Sequence, residues 1–231
     1  MKGYFITGTD TNVGKTVATA VLGLLFQQKN KKVGVMKPIA TGGKEIDGAL
    51  CSDDALFLKK TLKLTTPLER INPVCLRHPL SPKVAADQTG HEIDITKIHS
   101  AFAYEKDTTK ADIMLIEGIG GILVPIKHDY LVVDMIKDFG FPVIIVARAG
   151  LGTINHTMLT TSFLKQEKIP IAGIIFNHSQ KTTPGLAERT NPREIQRLSG
   201  LPILGEIPFI EDMEHINEKD LKNTLTIDQL L

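Results

Sequence analysis

The sequence predicts an α/β fold with a mostly parallel sheet and helices on both faces. Three observations carry that expectation. Short β-rich apolar runs alternate with helix-period segments along nearly the whole chain, as strands joined by crossover helices must. Most of those runs end in a polar or glycine-rich stretch, where open α/β sheets place their ligands. The 231 residues suffice to bury roughly 70–75% of the unfolded chain's surface in one core, so residues 1–231 are expected to form a single α/β domain.

The elements follow in order. Tyr4 to Thr7 is the first expected strand, and Val17, Val21, Leu24 and Leu25 fall on one face of the helix after it. Val33 to Lys37 is the second strand, and Ser52 before Asp53 and Asp54 marks a helix start. Thr65 to Gly90 carries Pro67, Pro73, Pro79 and Pro82 and is expected to be a long ordered loop. Ile95, Ile98 and Phe102 share a helix face, ahead of strands at Ile113 to Glu117, Val143 to Ala147 and Ile171 to Asn177. Asn191-Pro192-Arg193-Glu194 reads as a helix start, with Asn as the cap, Pro in the first turn and Gly200 after the stop. Ile203 to Ile207 is the last strand. From Glu211 to Leu231 six acids stand against two lysines, which predicts surface helix or coil and argues against a basic membrane anchor.

Charge narrows the function. With 27 basic and 26 acidic residues and a formal net charge of +1, no global field recruits nucleic acid or anionic lipid, so a polyanion must be bound locally. Lys29, Lys31 and Lys32 form a solvated helix end rather than a basic-aromatic face. Cys51 and Cys75 lack metal-ligand spacing and are too few for a disulfide framework, which suits a reducing compartment. The seven histidines show no zinc spacing. With no signal-peptide apolar region and no run of 18 apolar residues, a cytoplasmic protein is expected.

The most specific local signal is Gly8-Thr9-Asp10-Thr11-Asn12-Val13-Gly14-Lys15-Thr16, between the first strand and the first helix. The standard phosphate loop has four residues between its glycines; here there are five. The physical core survives the insertion. Successive backbone N–H groups and the positive helix end form an anion cradle, Gly14 permits close approach, and Lys15 can reach the β- and γ-phosphates. The Thr16 hydroxyl can face Mg²⁺. At the end of a later strand, Asn177-His178-Ser179-Gln180 lacks the acid that guanine-reading proteins place there. An Asn amide can pair bidentately with adenine, which favours ATP; Asn177 as a simple turn cap is the other reading.

Glu117 ends an apolar strand and enters Gly118-Ile119-Gly120-Gly121, the position of a magnesium-holding acid in phosphate-loop enzymes, or simply of a solvated loop glutamate. Asp53 and Asp54 either meet a helix dipole or serve a hard cation. Lys37 stands at the end of the second strand, on the edge that carries the phosphate loop. It is either an ordinary strand-end lysine or a cation that stabilises a phosphoryl group in flight; Thr41 nearby could add a hydroxyl. Gly150-Leu151-Gly152-Thr153-Ile154-Asn155 opens a helix with a glycine-rich loop, a place for a carboxylate or only a helix cap.

Taken together, these residues resemble the dethiobiotin synthetase family. The match runs from the longer phosphate loop through Lys37-Pro38, Asp54-Ala55-Leu56, Asn72-Pro73, Ser81-Pro82, Glu117-Gly118, Leu151-Gly152-Thr153-Ile154-Asn155-His156 and Asn177 to Gly205-Glu206-Ile207-Pro208. The resemblance implies ATP, Mg²⁺, CO₂ and a diaminononanoate as reactants, and dethiobiotin, ADP and phosphate as products. It implies that Thr11, Lys15 and Lys37 are catalytic, and that Thr16, Asp54 and Glu117 hold Mg²⁺. It assigns Asn12, Val13, Gly14, Lys15, Thr16, Val17, Asp54, Glu117, Gly118, Asn177, Ile207, Pro208 and Phe209 to the nucleotide and its metal. Lys37, Thr41, Gly118, Gly150, Leu151, Gly152 and Asn155 would contact the other substrate, the loop at 150 coming from the second subunit of a homodimer. The chain departs from the family pattern at Asn12, Thr41, Lys83 and Ile119, where Glu, Ser, His and Ala are common; Thr41 keeps its hydroxyl. A ParA/MinD-like partitioning or septum-positioning ATPase is the competing reading. Such proteins carry an extra lysine early in the phosphate loop, where this chain has Thr9, Asp10 and Thr11, and the membrane-targeting ones end in a basic helix.

Overall fold

The computed structural model describes every residue except His91, Thr182, Pro184, Glu214, His215, 217–220 and Lys222. Strands and helices alternate as β1 (Lys2–Gly8), α1 (Lys15–Gln28), β2 (Val33–Met36), β3 (Ile39–Thr41), β4 (Lys44–Ile46), β5 (Ala49–Cys51), α2 (Asp53–Thr61), α3 (Leu68–Ile71), β6 (Val74–Leu76) and α4 (Pro82–Asp87). They continue as α5 (Ile95–Thr109), β7 (Ile113–Glu117), β8 (Pro125–Lys127), β9 (Tyr130–Leu131), α6 (Val132–Phe139), β10 (Val143–Arg148), α7 (Thr153–Gln166), β11 (Ile171–Asn177), α8 (Leu186–Ser199) and β12 (Ile203–Ile207).

Six of the strands form one sheet in the order β12-β11-β10-β1-β7-β2, with every neighbouring pair parallel. Side chains alternate across a strand, and that alternation sorts the core into two layers. Phe5, Met114, Ile116 and Ile145 pack with Ile98, Ile136, Leu164 and Ile195 on the face covered by α5, α6, α7 and α8. Tyr4, Ile6, Leu115 and Ile144 pack with Val21, Leu22, Phe26 and Leu58 of α1 and α2 on the other. The expected fold class is the observed one. Among the described residues no helix is long and apolar enough to cross a membrane.

The order of strands positions the site. β2, β7 and β1 are neighbours, so the loops leaving their carboxyl ends meet. Lys37 follows β2, Glu117 ends β7, and the phosphate loop follows β1.

Several elements differ from the sequence expectation, each for a physical reason. The α8 helix starts at Leu186, and Asn191 and Pro192 lie inside it. The Asn191 amide does not cap its own helix; buried, it donates to the Ala149 and Gly150 carbonyls at 3.0 and 3.2 Å. Gly200, in the left-handed region at φ 68°, ends the helix as expected. Residues 65–90 are no plain loop: they contain α3, β6 and α4, and β6 pairs in parallel with β3. α1 buries more than one face, because its Ala18, Thr19, Ala20, Val21 and Leu22 are all enclosed. A β-carbon at Gly23 would stand 2.7 Å from Leu62, so α2 presses closely on its second side. Finally, the described part of the terminal stretch is more than surface coil. Leu221, Ile227 and Leu230 are buried, and Tyr4 donates its hydroxyl to the Leu230 carbonyl at 2.9 Å. The charged residues Glu214, Glu218, Lys219, Asp220 and Lys222 of that stretch lie outside the described residues.

Candidate active site

The phosphate loop is shaped by two left-handed residues. Asn12 has φ 59°, which Asn tolerates better than most side chains. Gly14, at φ 92°, forms the N-cap of α1 and accepts the Ala18 N–H at 2.9 Å. Thr9 N–H donates to the Val146 carbonyl at 3.0 Å, and Asp10 accepts from Thr11 N–H at 2.7 Å. Lys15 folds back to donate to the Asp10 carbonyl at 3.1 Å. Asn177 braces the loop from outside: its amide donates to the Val13 carbonyl at 3.2 Å, and it lies directly against Gly14.

Beside the loop, the ammonium of Lys37 lies 2.5 Å from Glu117 Oε1 and 2.6 Å from Asp54 Oδ2. Thr16 donates its hydroxyl to the same Glu117 oxygen at 2.8 Å. Lys37 is 3% exposed and Glu117 wholly enclosed, whereas the Asp54 side chain is half-exposed. Asp54 arrives there because Ser52 caps α2, accepting the Ala55 N–H at 3.4 Å. Lys37 is held through its backbone: its N–H donates to the Ile71 carbonyl at 2.7 Å, and its carbonyl accepts the Asn72 amide at 2.8 Å.

Charge in this cluster is mutually dependent. Burial opposes the Lys37 ammonium, but Glu117 and Asp54 outweigh it and hold its pKa above the ordinary lysine value. Burial likewise opposes the Asp54 carboxylate, and Lys37 outweighs it, so that pKa falls. Burial dominates at Glu117 and raises it. Lys15 moves the other way: burial pulls it from 10.5 down to about 8, with Glu117 the chief opposing influence. The sign of the stability effect follows. Between these two values the unfolded chain binds the proton more tightly, so stability rises with pH across that window. Wild-type protein is therefore expected to gain unfolding free energy relative to Lys15→Met between about pH 8 and 10.5, as read by chemical denaturation. A gap between the two that ignores pH would count against the buried position of Lys15.

These groups open onto a cavity of about 880 Å³, within the size range of small-molecule sites. Thr11, Asn12, Gly14, Lys15, Thr16, Val17, Lys37, Thr41, Asp54 and Glu117, all expected from sequence, line it. Residues the sequence reading did not assign also line it, among them Phe57, Leu80, Ser81, Ile119, Val124 and Met213. Ser81 was visible only as part of the Ser81-Pro82 match. The other expected residues lie apart from the lining. Val13 is buried beneath the loop. Gly118 donates its N–H to the Ile6 carbonyl at 2.9 Å, and a β-carbon there would meet the Phe5 ring at 2.7 Å. Asn177 pairs in register with Ile207 across β11 and β12, with Ile207 buried and Pro208 and Phe209 exposed beyond it. Gly150, Leu151, Gly152 and Asn155 follow β10 and begin α7, outside this cavity.

A parallel sheet with a phosphate loop after its central β1, an acid at the end of the adjacent strand and a buried lysine after the next defines a phosphate-loop NTPase-like α/β protein. A family model described as an AAA domain matches residues 2–217. The ATP-dependent dethiobiotin synthetase of Thermodesulfovibrio yellowstonii is 43% identical over 230 residues, spanning 96% of this chain and 95% of that protein. The ATP-dependent dethiobiotin synthetase of Bacillus subtilis strain 168 is 38% identical, spanning 98% of this chain and all of that protein. The chain belongs to the ATP-dependent dethiobiotin synthetase family, a family of ligases. Among solved structures, the MinD cell division protein of Aquifex aeolicus shares the fold at a TM-score of 0.54 and 16% identity, covering all of this chain and 91% of that one. A Cyanothece McdA structure does so at 0.51 and 14%, covering 100% and 90%. Likeness at that level is a likeness of fold, so the switch-ATPase alternative is not favoured.

Proposed function

We propose that this chain closes a cyclic urea on a diaminononanoate with CO₂ and ATP, giving dethiobiotin, ADP and phosphate. The observation that carries the reading is the convergence of the phosphate loop and the Lys37–Asp54–Glu117 cluster on one cavity that continues past Thr41 and Ser81. One substrate amine attacks CO₂ to form a carbamate, a carbamate oxygen displaces ADP from the γ-phosphoryl group, and the second amine closes the ring as phosphate leaves. These intermediates hydrolyse readily, so the protein's work is positioning, charge compensation and exclusion of water.

The loop N–H groups, Thr11 and Lys15 bind the polyphosphate, and Lys37 with Thr41 meets the carbamate. The adenine end lies over Asn177 and the Ile207-Pro208-Phe209 segment, where Asn177 both braces the loop and reads the base. The donor set fits Mg²⁺: Thr16, Asp54 and Glu117 are hard oxygen donors, and Glu117 Oε2 is buried without a hydrogen-bond partner among the described residues. When bound there, magnesium would neutralise phosphate charge.

A homodimer completes the site. The loop from Gly150 to Asn155 lies outside its own chain's cavity, and Leu151 is 87% and Leu159 63% exposed beside it. That apolar surface suits a second copy, whose cavity the loop would close over the substrate carboxylate. Asn191 sets the pose of the loop through Ala149 and Gly150. We assign the reaction, whose reactants are small soluble molecules, to the cytoplasm, with neither nucleic acid nor membrane as a partner. The test is phosphate release by purified protein given diaminononanoate, bicarbonate and MgATP. Release in proportion to dethiobiotin formed is expected; release indifferent to the diamine would refute the ligase reading.

A further inference from the structure

A second cavity, of about 290 Å³, is lined by both cysteines together with Leu50, Leu68, Asn72 and Pro73. Cys51 ends β5 and Cys75 sits in β6, and residues of these two strands approach with α-carbons within 8 Å. Gly43 lies against both cysteine-bearing segments: a β-carbon there would come within 2.4 Å of Cys75 Sγ and 3.4 Å of the Cys51 carbonyl oxygen, so the missing side chain is what lets the Cys75 sulfur sit beside the Cys51 segment. β4, which pairs with β5, is exposed throughout its length. The outer strand of the ribbon that carries Cys51 therefore contributes nothing to the packed core, Leu50 and Cys51 themselves are half-buried, and a bridge needs α-carbons within about 7 Å.

Both cysteines are free, and each adjoins a segment that holds the cluster around Lys37. Cys51 immediately precedes Ser52, the cap that presents Asp54 to Lys37. Cys75 follows Asn72, whose amide holds the Lys37 carbonyl at 2.8 Å and the Val74 carbonyl at 3.0 Å. We propose that Cys51 and Cys75 form a dithiol modification site that reacts with small-molecule disulfides and closes to an intrachain bridge, drawing the start of α2 out of position against Lys37.

The exchange balances. The Cys51 thiolate attacks one sulfur of the small disulfide, and the first small thiolate leaves. Cys75 then attacks the Cys51 sulfur of the mixed disulfide, and the second small thiolate leaves. The two protein thiols are oxidised, the small disulfide is reduced to two thiols, and the protein's two thiol protons end on them. Burial and the neighbouring Cys51 push the Cys75 thiol up, which leaves little thiolate there for the opening attack; its later attack on the mixed disulfide is intramolecular and is carried by proximity.

The activity arm of the test rests on the proposed function; the mass arm does not. Fully reduced protein is incubated with excess oxidised glutathione, then read by free-thiol titration, intact mass and diamine-dependent phosphate release. The expected result is loss of both thiols with a mass decrease of two hydrogens, a fall in turnover of about tenfold or more, and recovery with dithiothreitol. Cys51→Ser and Cys75→Ser should each match wild-type turnover when reduced and show no mass decrease after the oxidant. Stable glutathione adducts on the wild type, thiols left untouched, or a bridge that leaves turnover unchanged would each overturn the proposal. If reduced protein shows no diamine-dependent turnover at all, the ligase reading fails instead, and the mass arm still decides whether the bridge forms.

Discussion

Lys37→Gln is expected to lower diamine-dependent turnover by about a hundredfold to a thousandfold while MgATP affinity changes by no more than a few-fold. The asymmetry follows from where the two lysines sit. Lys15 lies inside the phosphate loop and contacts Asp10, so in the proposed reaction it belongs to the ground-state cradle. Lys37 is outside the loop, held by Glu117 and Asp54 at 2.5 and 2.6 Å, and in the proposed reaction its charge would gain most as negative charge moves from nucleotide to carbamate. A cation that acts only in the transition state appears in turnover and not in binding. The substitution also removes the partner of an enclosed carboxylate, and breaking a buried pair costs about 3–5 kcal/mol. Turnover must therefore be measured on protein shown to be folded by denaturant titration. Lys37→Gln combined with Glu117→Gln separates the two effects, because it removes the stranded charge and should recover stability without recovering activity. An equal loss of nucleotide affinity in the single variant would place Lys37 in the cradle instead.

The parts of this site legible in the sequence are those whose function is encoded within a few neighbouring residues. The phosphate loop announces itself because Gly14, Lys15 and Thr16 must follow a strand and open a helix, and they do. Lys37 and Glu117 are legible as strand-end residues, since β2 and β7 are short and uniformly buried. Their meeting is not legible, because it depends on β7 lying between β2 and β1, an order that no local pattern records. The same division explains the misread elements. Asn191-Pro192 has the composition of a helix start, yet the partners of the Asn191 amide lie at Ala149 and Gly150, some forty residues away in sequence. Of the prolines at 65–90, Pro67 and Pro82 begin α3 and α4 instead of marking loop, and β6 forms there only because β3 offers it a partner. Where a side chain's partner is local, composition suffices; where tertiary structure supplies the partner, the same residues support the wrong element.

Gly14→Ala is expected to weaken MgATP binding by about tenfold to a hundredfold in a protein that still folds, through two separable causes. The first is conformational: at φ 92° any side chain is strained, at a cost of about 1–2 kcal/mol for a left-handed residue. The second is a collision, since a β-carbon would stand 2.1 Å from Asn177 Nδ2, closer than any real contact. Asn177 would have to swing away and give up the Val13 carbonyl, releasing the loop whose N–H groups form the proposed phosphate cradle. A double-mutant cycle with Asn177→Ala separates the causes. Asn177→Ala alone removes the brace and should weaken binding modestly. In the Gly14→Ala background it should cost little more, because the collision has already displaced that side chain, leaving a coupling energy of about 0.5–3 kcal/mol. Strain at φ 92° would persist, so the double variant should not return to wild-type affinity. Strict additivity of the two single effects in calorimetric titrations with MgATP would show that Asn177 and Gly14 act independently, and that the loop is shaped without the brace from β11.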